Sequence, residues 1–295
     1  MSQLSESIRK EFARQDAIRD AGITVPEDVE RFDDIAYGPA CEQKLDVYRP
    51  EKETGSLPVI VNVHGGAWVY GSKELYQYYA MSLAQRGFAV VNFSYRLAPE
   101  WKFPAQLEDV HLAFEWTREH AEEYGFDLDN LFAVGDSAGA HLLGLYCNAC
   151  TNPEYAAQFS FARAFGPGPK AVSLACGVYT IEDDGESDQH LALMRDLLAG
   201  KVDEEALAGV DVRRYLTSRF PPAFVFTCNG DFLQKQADML QQTLRERGVV
   251  HLLRFYAAPD KTLGHVFHLN VRLKEAVLCN DEQCAFFRKV MEGKL

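Results

Sequence analysis

The sequence predicts an α/β protein with a mostly parallel central sheet covered by helices on both faces. Three observations carry this expectation. Short apolar, β-branched runs alternate with stretches of helical periodicity along the whole chain. Several of these runs are continuous, as in Pro58-Val59-Ile60-Val61-Asn62-Val63, which marks strands buried on both faces. One run, Leu131-Phe132-Ala133-Val134, leads through the small-residue turn Gly135-Asp136-Ser137-Ala138-Gly139 straight into a helical stretch at Ala140-His141-Leu142-Leu143-Gly144-Leu145.

The elements follow in order. Residues 5–20 are polar, with Ile8, Phe12 and Ile18 at helical spacing, and predict an amphipathic N-terminal helix. Asp34-Ile35-Ala36-Tyr37 and Lys44-Leu45-Asp46-Val47-Tyr48 alternate like early antiparallel strands. The buried run 58–63 comes next, then a helix over 74–86 closed by Gly87. A strand over 88–93 and a helix opened by Pro104 and running to about His120 precede the elbow strand over 130–134. Lys170-Ala171-Val172-Ser173-Leu174-Ala175-Cys176 is another buried strand. Residues 180–219 break the rhythm with an acidic loop over 182–188 and helical pieces, and read as an insertion over the C-terminal edge of the sheet, where such folds bind ligands. A strand over 222–227, a helix over 233–247, a strand over 251–256 and a closing helix over 270–291 complete one domain spanning 1–295.

Composition narrows the function classes. The net charge is −13, from 43 acidic and 30 basic residues, which disfavours nucleic acid and anionic membranes as partners. No apolar run is long enough to span a bilayer, and the N-terminus shows no basic region leading into an apolar one. The seven cysteines are odd in number, and several lie in apolar runs, as expected of reduced thiols in a cytoplasmic protein. Cys147-Asn148-Ala149-Cys150 falls late in a helix without a second pair at zinc-ribbon spacing, so it reads as packing. No cofactor and no metal are expected, and the composition leaves room for a homodimer.

The chemistry centres on Ser137. A strand, a sharp G-x-S-x-G turn and a helix push a serine oxygen out above a sheet. Serine is a weak nucleophile until a base takes its proton, the resulting imidazolium needs an acid, and the anionic intermediate needs N–H donors. The donors are expected from His64-Gly65-Gly66-Ala67-Trp68 after the strand 58–63: Gly65 and Gly66, joined by Ala138, the residue after the nucleophile. His64 itself suits a loop brace. The acid is expected at Asp231 in Cys228-Asn229-Gly230-Asp231, with Asp260 as the alternative. Among eight histidines, His265 and His268 lie in the loop after the last strand, where a Ser-Asp-His order puts the base; His265, freed by Gly264, is preferred. His265 and His268 also form an H-x-x-H pair, but no third ligand cluster accompanies it.

These motifs, with Tyr95-Arg96-Leu97-Ala98-Pro99-Glu100, resemble the α/β-hydrolase superfamily, and within it the hormone-sensitive-lipase-like bacterial carboxylesterases, over residues 40–290. The family's loop is usually H-G-G-G; here Ala67 takes the fourth place. The resemblance implies an α/β-hydrolase fold with a helical cap from residues 1–30 and 180–219, an Arg96–Glu100 pair, and a serine carboxylesterase that hydrolyses small to medium acyl or aryl esters, hydroxycinnamoyl esters included, through an acyl-enzyme. Trp68, Tyr70, Tyr179 and Phe267 near the strand ends are candidates for an aromatic substrate pocket. Amide or formamide hydrolysis of the kynurenine-formamidase type and non-catalytic small-molecule binding are the other functions the resemblance allows.

Overall fold

A computed structural model describes residues 1–161, 165–181, 188–200 and 202–295. Eight strands form one sheet: β1 (Val29–Ala36), β2 (Lys44–Pro50), β3 (Leu57–Val63), β4 (Ala89–Phe93), β5 (Phe126–Asp136), β6 (Ala171–Ala175), β7 (Ala223–Cys228) and β8 (His251–Tyr256). Their order across the sheet is β1-β2-β4-β3-β5-β6-β7-β8. β2 runs antiparallel to both β1 and β4, and every other pair is parallel.

The helices of the first half are α1 (Gln3–Asp20), α2 (Lys73–Ala84), α3 (Ala105–Glu119), α4 (Ala121–Tyr124), α5 (Ala138–Thr151) and α6 (Pro153–Ala156). Those of the second are α7 (Asp188–Leu197), α8 (Glu204–Ala208), α9 (Val212–Tyr215), α10 (Gln234–Glu246) and α11 (Lys274–Met291). The acidic stretch 182–187, expected to open the insertion, lies outside the described residues. The closing helix starts later than expected, at Lys274, because residues 270–273 first make a turn in which the Leu273 N–H donates to the Asn270 oxygen at 2.9 Å.

Alternation along the strands divides the core into two layers. Val59, Val61 and Val63 of β3 and Ala133 of β5 face α3, α5 and α10, where Leu107, Phe114, Leu143 and Leu240 are buried. Ile60 of β3 with Phe132 and Val134 of β5 face α2 and α11, with Tyr79, Leu83 and Phe287. Each Val, Leu, Ile or Phe among these stabilises the fold by about 1.5–3 kcal/mol on burial. Since β3, β5, β6, β7 and β8 are parallel, their C-terminal ends open at one edge, and the loops that leave them meet there.

The expected Arg96–Glu100 pair does not form. Arg96 binds Asp109 at 2.7 Å and Glu108 at 2.6 Å, both on α3. Asp109 is wholly buried and accepts from both the guanidinium and the Arg96 backbone N–H, a grip that Glu100 at the surface cannot match. Glu100 pairs instead with Arg9 of α1 at 2.7 Å. No helix among the described residues is long and apolar enough to cross a membrane.

Candidate active site

Ser137 stands between the end of β5 and the start of α5 with φ 51° and ψ −119°, a conformation that L-residues rarely adopt. Small neighbours permit this turn. A Cβ on Gly135 would lie 2.8 Å from the Gly139 carbonyl oxygen, and one on Gly139 would strike the carbonyl oxygens of Val63 and His64. The Ser137 N–H donates to the Ala175 oxygen of β6 at 2.9 Å, tying the elbow to the next strand.

His265 and Asp231 reach the same point from two other loops. The His265 Nε2 lies 3.0 Å from Ser137 Oγ, and its Nδ1 lies 2.7 Å from Asp231 Oδ1. Asp231 also accepts from the Thr227 hydroxyl at 2.6 Å and the Leu233 N–H at 2.9 Å. Burial alone would raise its pKa, but the His265 contact and these two donors outweigh burial and hold the carboxyl below its ordinary value. His265 stays partly open to solvent, and the Phe232 ring lies 4.4 Å from it.

The competing residues sit elsewhere. His268 is buried edge-on against Phe226 and Tyr79, and burial pushes its pKa down to about 3, so it is a neutral core residue. Asp260 is exposed. Cys176, Asp231 and His265 bring a thiol, a carboxylate and an imidazole within 4.8 Å of one another. The 2.7 Å Asp231–His265 bond engages two of those three groups with each other, which suits a proton relay better than an ion.

The loop after β3 departs from expectation at Gly65. Its N–H donates to the Tyr76 hydroxyl at 2.8 Å and is therefore not free for a substrate oxygen. The next three residues, Gly66, Ala67 and Trp68, have φ of 110°, 52° and 61°. Among the described residues, the N–H groups of Gly66, Ala67 and Ala138 donate to no acceptor. The alanine in the fourth place of H-G-G-A thus contributes a free donor, which sequence reasoning overlooked. His64 is buried, stacks on Tyr95 at 4.0 Å and sets its Nδ1 2.7 Å from the Gly65 oxygen; burial lowers its pKa to about 4. It braces the loop as a neutral ring.

Contacts of the four aromatic candidates correct the expected pocket. Trp68 is 3% exposed, and its indole N–H donates to His141 Nδ1 at 3.2 Å; His141 Nε2 in turn meets the Val210 oxygen. Phe267 packs on Tyr256 and Phe226 in the core. Tyr70 turns its hydroxyl to Asp16 of α1 at 2.8 Å. Trp68 and Phe267 therefore serve packing, while Tyr70 is half-buried and faces a cavity away from Ser137. Tyr179 is 0% exposed, lies in the core and sets its hydroxyl against the Gly177 backbone, so it too faces no pocket. A separate cavity of about 690 Å³, lined by Arg9, Tyr70, Lys73, Tyr95 and Trp101, opens behind the loop and contains none of Ser137, Asp231 or His265.

The BD-FAE family model matches residues 45–244. The chain is 36% identical over 126 residues to esterase LipC of Mycobacterium tuberculosis, a match covering 42% of this chain and 31% of that protein. It is 31% identical over 228 residues to esterase LipQ of the same organism, covering 73% of this chain and 53% of that one. The matches thus span about a third and a half of the length of those relatives. The structure of esterase B from Lactobacillus rhamnosis, solved inhibited by a tributyrin phosphonate, superposes with a TM-score of 0.90 over 100% of this chain and 98% of that one, at 25% identity. With a family match covering most of its length, the chain belongs to the BD-FAE family and has the α/β-hydrolase fold.

Proposed function

We propose that the protein is a serine carboxylesterase that cleaves small to medium acyl or aryl esters through an acyl-enzyme. The observation that carries this reading is the continuous chain from Asp231 through His265 to Ser137, at 2.7 and 3.0 Å. His265 takes the Ser137 proton as the serine oxygen attacks the ester carbonyl. The intermediate's oxyanion is held by the N–H groups of Gly66, Ala67 and Ala138; each such donor typically contributes ~2.7–4 kcal/mol to the barrier reduction. His265 then gives its proton to the departing alcohol, and a water activated by the same histidine hydrolyses the acyl-serine.

Phe232, 73% exposed beside His265, offers an apolar surface on the side where the alcohol leaves. The tributyrin phosphonate in the Lactobacillus enzyme speaks for a short acyl group. A cap would come from α1 and the 188–219 segment, joined where Ser5 Oγ donates to Asp196 at 2.6 Å. A cytoplasmic location fits seven cysteines that all stand free.

Replacing Ser137 with alanine should remove at least 10³-fold of the kcat on p-nitrophenyl acetate while the circular dichroism spectrum stays that of the parent. Parental turnover by a folded Ser137→Ala protein would end this reading. In a panel of acetyl, butyryl, octanoyl and feruloyl esters, kcat/KM should be lowest for octanoyl.

A further inference from the structure

We propose that Tyr76 is a positioning residue that fixes the oxyanion loop against the nucleophile elbow through Asp136. This rests on the serine-esterase reading and adds to it a residue outside the relay and the donor set.

The parallel ladder that aligns β3 with β5 ends at the pair Val63 and Gly135. Beyond it the two chains diverge into the loops that must cooperate: His64 to Trp68 on one side, Asp136 to Ala138 on the other. Tyr76 of α2 closes the gap. Its hydroxyl accepts the Gly65 N–H at 2.8 Å and donates to Asp136 Oδ2 at 2.9 Å. Both bonds are buried, so each is made in a medium that strengthens it and penalises its loss. Gly65 immediately precedes the donor Gly66, and Asp136 immediately precedes Ser137. The contact is also steric. A Cβ on Gly65 would lie 2.5 Å from Asp136 Oδ2, 2.9 Å from the Asp136 carbonyl oxygen and 3.1 Å from the Tyr76 oxygen, so loop, elbow and helix meet where only glycine fits.

A hydroxyl that merely filled the core would need one partner. This one uses its donor and an acceptor site on two segments that the ladder no longer holds in register. Without it, the buried Gly65 N–H and Asp136 carboxyl lose the hydroxyl that joins them, and Gly66 and Ala67 are free to shift away from the oxyanion position. Because that position is filled by charge only in the transition state, the loss should fall on kcat.

The test is Tyr76→Phe assayed on p-nitrophenyl acetate beside Ser137→Ala. Tyr76→Phe should lower kcat 10- to 100-fold with KM within about twofold of the parent. Asp136→Ala should produce a similar loss, and the double variant should be no slower than the slower single, as expected when two residues act as one unit. Asp136→Asn, which keeps an oxygen to accept the Tyr76 hydroxyl, should recover most of the activity that Asp136→Ala loses; this arm stands even where Tyr76→Phe fails to fold. A folded Tyr76→Phe protein with kcat within twofold of the parent, losses that multiply in the double variant, or Asp136→Asn as slow as Asp136→Ala would each overturn the proposal. If Ser137→Ala also retained turnover, the esterase reading itself would be at fault; if only the Tyr76 and Asp136 arms failed, that reading would stand.

Discussion

Asp231, His265 and Ser137 are three side chains in direct contact, whereas the loop beside them offers the backbone N–H groups of Gly66 and Ala67, which donate to no acceptor among the described residues. The three side chains hold one another, and Thr227 and the Leu233 N–H add two bonds to Asp231. The loop cannot hold itself. It is pinned from below by His64 stacked on Tyr95, from the sheet side by Tyr76, and from above by Arg9 of α1, whose guanidinium donates to the Val69 and Ala98 oxygens at 2.7 and 2.9 Å. Groups that react can be fixed by their own chemistry, but groups that wait for a transient charge need a scaffold that neighbouring elements supply.

The largest expected effect breaks the relay half. Asp231→Asn keeps the shape but favours the wrong histidine tautomer, so kcat should fall about 10³- to 10⁴-fold with little change in KM. A loss below tenfold would show that the 2.7 Å bond to His265 matters little to turnover.

Next comes the cost of bracing the other half with a buried acid. Asp136 faces Tyr76 of α2, the Gly65 N–H, His265 and, farther off, Arg19 of α1, all of which favour the carboxylate, yet burial outweighs them and pushes its pKa up to about 7. The folded protein therefore holds a proton there that the unfolded chain, with an ordinary carboxylate, releases near pH 4. Stability from this group falls as pH rises from about 4 to about 7 and is flat above that. Asp136→Asn carries no such ionisation, so between pH 5 and pH 8 it should gain about 2–3 kcal/mol over the parent in urea unfolding. A gap that stays constant across that range would mean the carboxyl ionises normally in place.

The smallest effect concerns the outermost brace. The Arg9–Glu100 pair is 29% and 52% exposed, so Glu100→Gln should change stability by less than about 1 kcal/mol and leave kcat within twofold. Arg9 retains its two bonds to backbone oxygens in that variant. A tenfold fall in kcat would show that the surface ion pair steers the loop.

The same contrast explains what the sequence could disclose. Ser137, Asp231 and His265 were legible because general-base chemistry restricts residue types, and because each follows a recognisable strand in a fixed order. The sheet was legible for a similar reason: strands buried on both faces leave continuous apolar runs. The donors are backbone groups, and backbone is the same at every residue, so nothing in the letters separates Gly65, which is occupied, from Ala67, which is free. Tyr76 reads as one more aromatic on the buried face of α2, since a hydroxyl's two partners lie 11 and 60 positions away. Arg96 misled because Glu100 is near in sequence while Asp109, one helix later, is the buried partner. Trp68 and Phe267 misled because proximity to strand ends does not say which way a ring turns.

Six non-glycine residues among those described have left-handed backbone angles, and five of them, Ala67, Trp68, Ser137, Cys176 and Val266, lie in the loops that leave the strand ends at the active site. An L-residue in that region costs roughly 1–2 kcal/mol. Heat tolerance and turnover therefore pull against each other at the same few positions. Glycine or asparagine there would relax the chain and raise its melting temperature, while giving the reactive loops freedom to leave their working shape. Ala67 takes its φ of 52° without glycine's freedom, so this chain holds the stiffer option at a residue whose N–H donates to no acceptor among the described residues.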